Sequence, residues 1–300
     1  MTSPKRIAVV TGSNKGIGLE IVRQLACNGV MVLLTARDVK RGNVAAEKLI
    51  KSGVSDVLFH QLDVTDPASV AALAEFIKTK FGKLDILVNN AAVVAIELDL
   101  EFLNSLKESS NAEEGEDEGF YKVVAAAKET YEKAVECLNT NYYGAKRVTE
   151  ALLPLLQLSN APRIVNLTSL YGQLEHITNE SIQKKLSDVN GLTEEKLDDI
   201  LNNFLDDLQK NKLQENGWPF PISAYKVSKI AINTYTRMLA NKNPRFCINC
   251  VHPGLVNTDI NWNTGPLTVE EGARCPVALA LLPDGSPSGL FYENMEVVPF

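Results

Sequence analysis

The sequence predicts an α/β chain with a doubly wound parallel sheet, and three observations carry that prediction. Short β-branched apolar runs alternate with longer helical patterns through the first third of the chain. Those runs are apolar almost throughout rather than at every second residue, the pattern of strands covered by helices on both faces. A glycine-rich stretch, TGSNKGIG, stands where the first run gives way to the first helical pattern.

Taken in order, RIAVVT (6–11), VMVLLTA (30–36), DVLFHQL (56–62) and LDILVNN (84–90) read as strands, with helices near 16–28, 40–52 and 67–81 between them. Helical crossovers of this length join parallel neighbours, because two parallel strands cannot be linked by a tight turn. RIVNLTS (163–169) and FCINCVH (246–252) repeat the rhythm, preceded by helical patterns near 130–157 and 223–242, and GLFYE (289–293) offers a late strand to close the sheet. Two segments interrupt it. Residues 98–125, with ESSNAEEGEDEGFY, are acidic and poor in apolar residues around 108–118, which reads as a solvated loop in preference to an acidic docking motif. Residues 171–221 contain LTEEKLDDILNNFLDDLQKNKL, where Leu197, Ile200, Leu201, Phe204, Leu205 and Leu208 follow helical spacing, so one or two helices are expected there.

Composition narrows the function. At 300 residues, 45% hydrophobic and 22% charged, residues 1–300 are read as a single domain carrying these two insertions. A net charge of −7 argues against nucleic acid or an anionic membrane as the main partner, since phosphate surfaces demand a basic face. MTSPKRIAVV enters the first strand without an apolar signal region and no run reaches membrane-spanning length, so a cytoplasmic setting is expected. Of the five cysteines, Cys247 and Cys250 are closely spaced, but on a strand they face opposite ways, and packing is favoured over a metal.

The glycine-rich stretch is the first sign of chemistry. Gly12, Gly16 and Gly18, with Asn14, Lys15 and Ile17 among them, open a helix directly after a strand. There a pyrophosphate can approach bare backbone and meet the exposed N–H groups of the helix N-terminus, which is the Rossmann-type arrangement for a dinucleotide. NAD sites usually place an acid after the second strand, for the ribose 2′-hydroxyl. Here LLTARD puts Arg37 at that tip, and with Lys15 it suits a 2′-phosphate; Asp38 next door mixes the signal, and NADP(H) is favoured over NAD. A second sign is SAYKVSK, where Tyr225 and Lys229 stand one helical turn apart on the same face.

With these motifs in this order the chain resembles the short-chain dehydrogenase/reductase family over nearly its whole length. TGSNKGIG is similar to that family's TGxxxGxG, NNAA (89–92) to its NNAG, and YKVSK to its YxxxK. The resemblance implies that Asp63 and Val64 in LDVTD hold the adenine end, that Asn90 lies beside the cofactor, and that Pro253, Gly254 and Thr258 in HPGLVNTD pack against the nicotinamide. It also implies a catalytic set of Asn141, Ser169, Tyr225 and Lys229. Ser169 is chosen over its neighbour Thr168 because it stands three residues before Gly172, as the family's serine does before its glycine. The chain departs from the family pattern at Ala92, in place of the last glycine of NNAG, and in the long insertion between Ser169 and Tyr225.

That insertion, ending in QENGWPF, resembles a plant subgroup of menthone/neomenthol and salutaridine reductases, which reduce ketones of monoterpenoids and alkaloids. The resemblance implies a monomer and an NADPH-dependent reduction of a small apolar ketone or aldehyde. Tyr225 would act as general acid, Ser169 as oxyanion stabiliser and Asn141, through backbone or water, as holder of Lys229 and proton relay, while Lys229 binds ribose and supplies the positive charge the tyrosine needs to exchange its proton readily. The insertion is expected to form a helical lid over the substrate. Trp218, Phe220 and Trp262 are candidates for an aromatic substrate wall or for the core, and His252 for packing in preference to proton transfer. Reduction of a conjugated C=C bond on the same scaffold, or NADPH binding without catalysis, are the alternatives.

Overall fold

A computed structural model describes residues 5–97, 123–124 and 126–300, so the acidic loop expected around 108–118 lies outside the described residues. Its sheet runs β3-β2-β1-β4-β5-β6-β7-β8, built from β1 Ile7–Val10, β2 Met31–Ala36, β3 Val57–Gln61, β4 Ile86–Asn89, β5 Arg163–Leu167, β6 Cys247–His252, β7 Phe291–Glu293 and β8 Glu296–Val298. Every expected strand is present. All neighbours pair in parallel except β7 and β8, an antiparallel edge that the sequence expectations did not include.

Helices α1 Gly16–Cys27, α2 Val39–Lys51 and α3 Pro67–Phe81 make the first crossovers. Asp38 caps α2 by accepting the Arg41 N–H, Asp66 caps α3, and Gly82 ends α3 in the left-handed conformation that glycine adopts freely. The chain winds outward from β1 through β2 to β3, then returns to the other side of β1 as β4. At that reversal the crossovers leave in opposite directions and a crevice opens at the carboxyl ends of the strands.

Strand side chains alternate between two cores. Val9, Leu33, Leu87, Ile164 and Ile248 pack beneath one helical layer, while Val10, Leu34, Val88, Val165 and Val251 pack beneath α1, α2 and a later helix. That later helix, α9 Val269–Ala280, escaped the sequence reading. Pro276 and the small residues blur its apolar stripe, yet its reciprocal Thr268–Glu271 capping box was a legible start signal.

The single helix expected over 130–157 divides into α4 Tyr131–Leu138, a wide π-type turn Asn139–Gly144, and α5 Ala145–Leu156. The insertion folds as α6 Glu180–Ser187 and α7 Glu194–Gln209, and the long α8 Ser223–Lys242 follows. Leu197, Ile200, Leu201 and Phe204 of α7 are buried; the first three, with Trp218, face Val227, Ile230 and Ala231 on the flank of α8, and Phe204 packs edge-on against Trp218. Charge reinforces the docking: Lys146 of α5 lies 3.1 Å from Glu194 and 3.5 Å from Asp198, and Lys242 of α8 lies 2.7 Å from Glu194. The expected lid therefore stands beside the crevice. Its apolar stripe is spent on α8, and none of residues 173–221 lines the cavity described next.

Candidate active site

A cavity of about 960 Å3 runs along the carboxyl ends of the strands. Every residue expected to bind the cofactor lines it, as do Ser169, Tyr225 and Lys229; Asn141 does not. At one end the glycine loop forms a bare cradle. Gly12 has φ +61° and a Cβ there would sit 2.9 Å from Ala91 Cα, while a Cβ on Gly18 would sit 2.4 Å from Asn90 Nδ2. Asn90 earns its place structurally, since its amide donates to the Thr11 and Gly12 carbonyls at 2.8 and 3.0 Å and holds the loop shut against β4. Ala92 is accommodated without left-handed backbone, so the missing glycine costs nothing there.

The mixed signal after β2 resolves by geometry. The Asp38 carboxylate caps α2 and turns 3.8 Å from Arg41, whereas the Arg37 guanidinium lines the cavity with no hydrogen bond or ion pair among the described residues. Lys15, the second expected cation, pairs with Asp259 at 2.6 Å across the mouth, and this pairing holds the Asp259 carboxyl below its usual range. One Asp63 oxygen accepts from the Thr65 N–H and hydroxyl at 2.9 and 2.7 Å. Val64 packs so tightly on the π-type turn that a Cβ on Gly144 would sit 2.8 Å from its Cγ2. Bare glycine cradle, free guanidinium and anchored Asp63 together fit a dinucleotide with a 2′-phosphate.

The other end holds the reactive groups. Ser169 stands two residues past β5, where its Oγ caps the following short helical turn by accepting the Tyr171 N–H at 3.2 Å; the capping role is real, yet the same hydroxyl lies beside the Tyr225 phenol and favours its ionised form. Thr168 is tied instead toward the Lys229 carbonyl of α8 at 3.5 Å. Lys229 donates to the Leu167 carbonyl at 3.0 Å, and its ammonium stands 5.5 Å from the centroid of the Tyr225 ring. Burial brings the Lys229 pKa down to about 8. Burial raises the Tyr225 phenol above its ordinary value, and the Ser169 hydroxyl acts in the opposite direction.

Asn141 stands behind the cavity lining, within the π-type turn. Its side chain exchanges hydrogen bonds with the Val93 backbone, accepting at 2.8 Å and donating at 2.9 Å, and donates to Ser228 at 3.0 Å. It thus clamps the cavity wall to α8 from behind. His252 is buried at the Nδ1 atom without a hydrogen-bond partner among the described residues, and burial followed by the Lys229 charge lowers its pKa to about 4. Of the aromatic candidates, Trp262 lines the cavity, Trp218 is buried in the insertion with its indole N–H on Asp207 at 2.8 Å, and Phe220 is 63% exposed. The wall beyond Tyr225 is apolar, with Val93, Val94, Ile96, Val124 and Ile222. Sequence reasoning missed it because these side chains come from separate segments that share no periodic pattern.

A parallel sheet with this strand order, a glycine cradle at its reversal point and a Ser–Tyr–Lys convergence define a nicotinamide-dependent oxidoreductase site. The chain belongs to the short-chain dehydrogenase family, whose model matches residues 6–181. It is 57% identical over 298 residues to Short-chain dehydrogenase/reductase 1 of Saponaria officinalis, covering 99% of this chain and 96% of that protein. It is 50% identical over 310 residues to a (+)-neomenthol dehydrogenase of Capsicum annuum, covering 100% and 99%. The solved structure of salutaridine reductase from Papaver somniferum, 50% identical, superposes with a TM-score of 0.92 and covers 96% of this chain and 100% of that one.

Proposed function

We propose that this protein reduces the carbonyl of a small apolar ketone or aldehyde, terpenoid- or alkaloid-like in character, to the alcohol with NADPH, and runs in reverse under excess NADP⁺. The observation that carries the reading is the convergence of Ser169, Tyr225 and Lys229 where the cofactor cleft meets an apolar wall. Bound NADPH supplies the hydride. Tyr225, protonated at neutral pH, donates its proton to the carbonyl oxygen as charge develops there, and the Ser169 hydroxyl donates a hydrogen bond to the same atom. Lys229 fixes the ribose and the tyrosine together, and Asn141 holds the wall in register with α8.

The retained tyrosine supports carbonyl over C=C reduction, and the relatives named as a neomenthol dehydrogenase and a salutaridine reductase support the substrate class. Arg37 supports NADPH over NADH. The insertion covers the outer flank of α5 and α8, where an unprotected apolar surface would invite pairing, which supports a monomer. We take residues 1–300 as one domain, since a single sheet spans the chain. Among the described residues no helix is long and apolar enough to cross a membrane, and we place the enzyme in the cytoplasm.

Incubation with NADPH and a panel of cyclic terpenoid ketones, enones and aldehydes, with products separated by chromatography, tests the reading. Alcohols are expected. Saturated ketones would instead mark a C=C reductase, and NADPH binding without turnover of any carbonyl would mark a non-catalytic binder.

A further inference from the structure

The helix that carries Tyr225 begins without a cap of its own. Ile222, at its N-cap, is held at φ 50° and offers no side-chain acceptor. The next two residues, Ser223 and Ala224, are each 0% exposed, so water cannot satisfy their N–H groups and no earlier turn of helix exists to do so. Their partner comes from a distant part of the chain. The Ser223 N–H donates to one Glu129 carboxylate oxygen at 3.0 Å, and the Ala224 N–H donates to the other.

Glu129 is itself fixed on both sides. Lys128 exchanges backbone hydrogen bonds with Glu97 at 2.9 Å in each direction, and Thr130 caps α4 by accepting the Lys133 N–H. The stretch ending at Glu97 is the apolar cavity wall, which Asn141 clamps at Val93. One carboxylate therefore ties the cavity wall, through its neighbour Lys128, to the first turn of α8, and the residue after that turn's two donors is Tyr225.

We propose that Glu129 is a positioning residue for Tyr225, setting the height of the phenol relative to Ser169 and the cavity wall. A negative group also suits the positive end of a helix, so the carboxylate is matched to its place. The proposal rests on Tyr225 as the proton donor. Displacing a reacting group by about 1 Å is enough to cost about a hundredfold in rate, which sets the scale of the effect.

The test is a graded pair of variants in the full chain. E129A removes both acceptors, whereas E129Q keeps one carbonyl oxygen. We expect kcat for carbonyl reduction to fall about ten- to hundredfold in E129A and by less in E129Q, with the NADPH Kd from fluorescence titration within about twofold of wild type. Hydrogen exchange of the peptide spanning residues 223–229 should quicken in the same order while exchange in the β1–β4 core is unchanged. If E129A does not fold, E129Q decides through both readouts. Wild-type kcat and wild-type exchange in these variants, or a loss of NADPH affinity in proportion to kcat, would overturn the proposal. A wild-type enzyme without carbonyl turnover would overturn the functional reading instead, and exchange at residues 223–229 would still decide whether Glu129 holds the helix.

Discussion

The Lys229 ammonium stands 5.5 Å from the Tyr225 ring centroid and is held there by the Leu167 carbonyl at 3.0 Å, so the two groups are locked together one turn apart on a single helix. Their protonation differs in consequence. Burial brings Lys229 down to about 8 and pushes Tyr225 up, so on raising the pH the lysine loses its charge first.

Because Lys229 is charged below about pH 8 and neutral above it, kcat/KM for NADPH, which reports groups on the free enzyme, should fall as pH rises through that value. Lys229→Met should abolish the limb along with most activity. Initial rates at limiting NADPH from pH 6 to pH 10 check this. A flat profile across that range would assign the lysine charge no part in cofactor capture.

The free guanidinium of Arg37 and the preoccupied Asp38 predict how the cofactor is chosen. Arg37→Ala should raise the NADPH Kd about tenfold, equivalent to about 1.4 kcal/mol, and leave the NADH Kd nearly unchanged. Titration calorimetry with each cofactor separates the two. Equal losses for both would show that Arg37 does not read the phosphate.

Glu194 predicts the stability of the insertion. Burial alone would raise its pKa, but hydrogen bonds from Lys242 and Lys146 outweigh this and bring it down to about 2. A carboxylate held below its unfolded value adds stability above pH about 4.5 that is lost as pH falls toward 2. Glu194→Gln should therefore cost about 1–2 kcal/mol at pH 7 and progressively less in acid, read from urea unfolding at several pH values.

His252 has the same sign from a different cause. Kept neutral by burial down to about pH 4, it favours the folded state above the ordinary histidine value near 6.5 and weakens it as pH falls between the two. His252→Gln should flatten the decline in Tm between pH 6.5 and pH 4, where a single such group contributes up to about 1.4 kcal/mol per pH unit.

Much of this was legible in the residues. Near-continuous apolar strands can only be buried on both faces, and the alternation of Val9 and Val10 between two cores is that rule at work. Glycines at 12, 16 and 18 and the Tyr225–Lys229 spacing located both ends of the site because local geometry fixes what they do. What stayed hidden depends on distant partners. No local pattern reveals that α7 lies against α8 rather than over the crevice, that Asn141 turns to Val93, or that Glu129 caps a helix far along the chain.

Whether Tyr225 is the proton donor is decided by the rate of NADPH oxidation by Tyr225→Phe with a ketone that the wild type turns over, alongside its NADPH Kd. The kcat should fall about a hundredfold or more with cofactor affinity within about twofold of wild type, since only the donated proton is lost. A variant that still reduces the ketone at the wild-type rate would contradict this role and move the proton donor elsewhere.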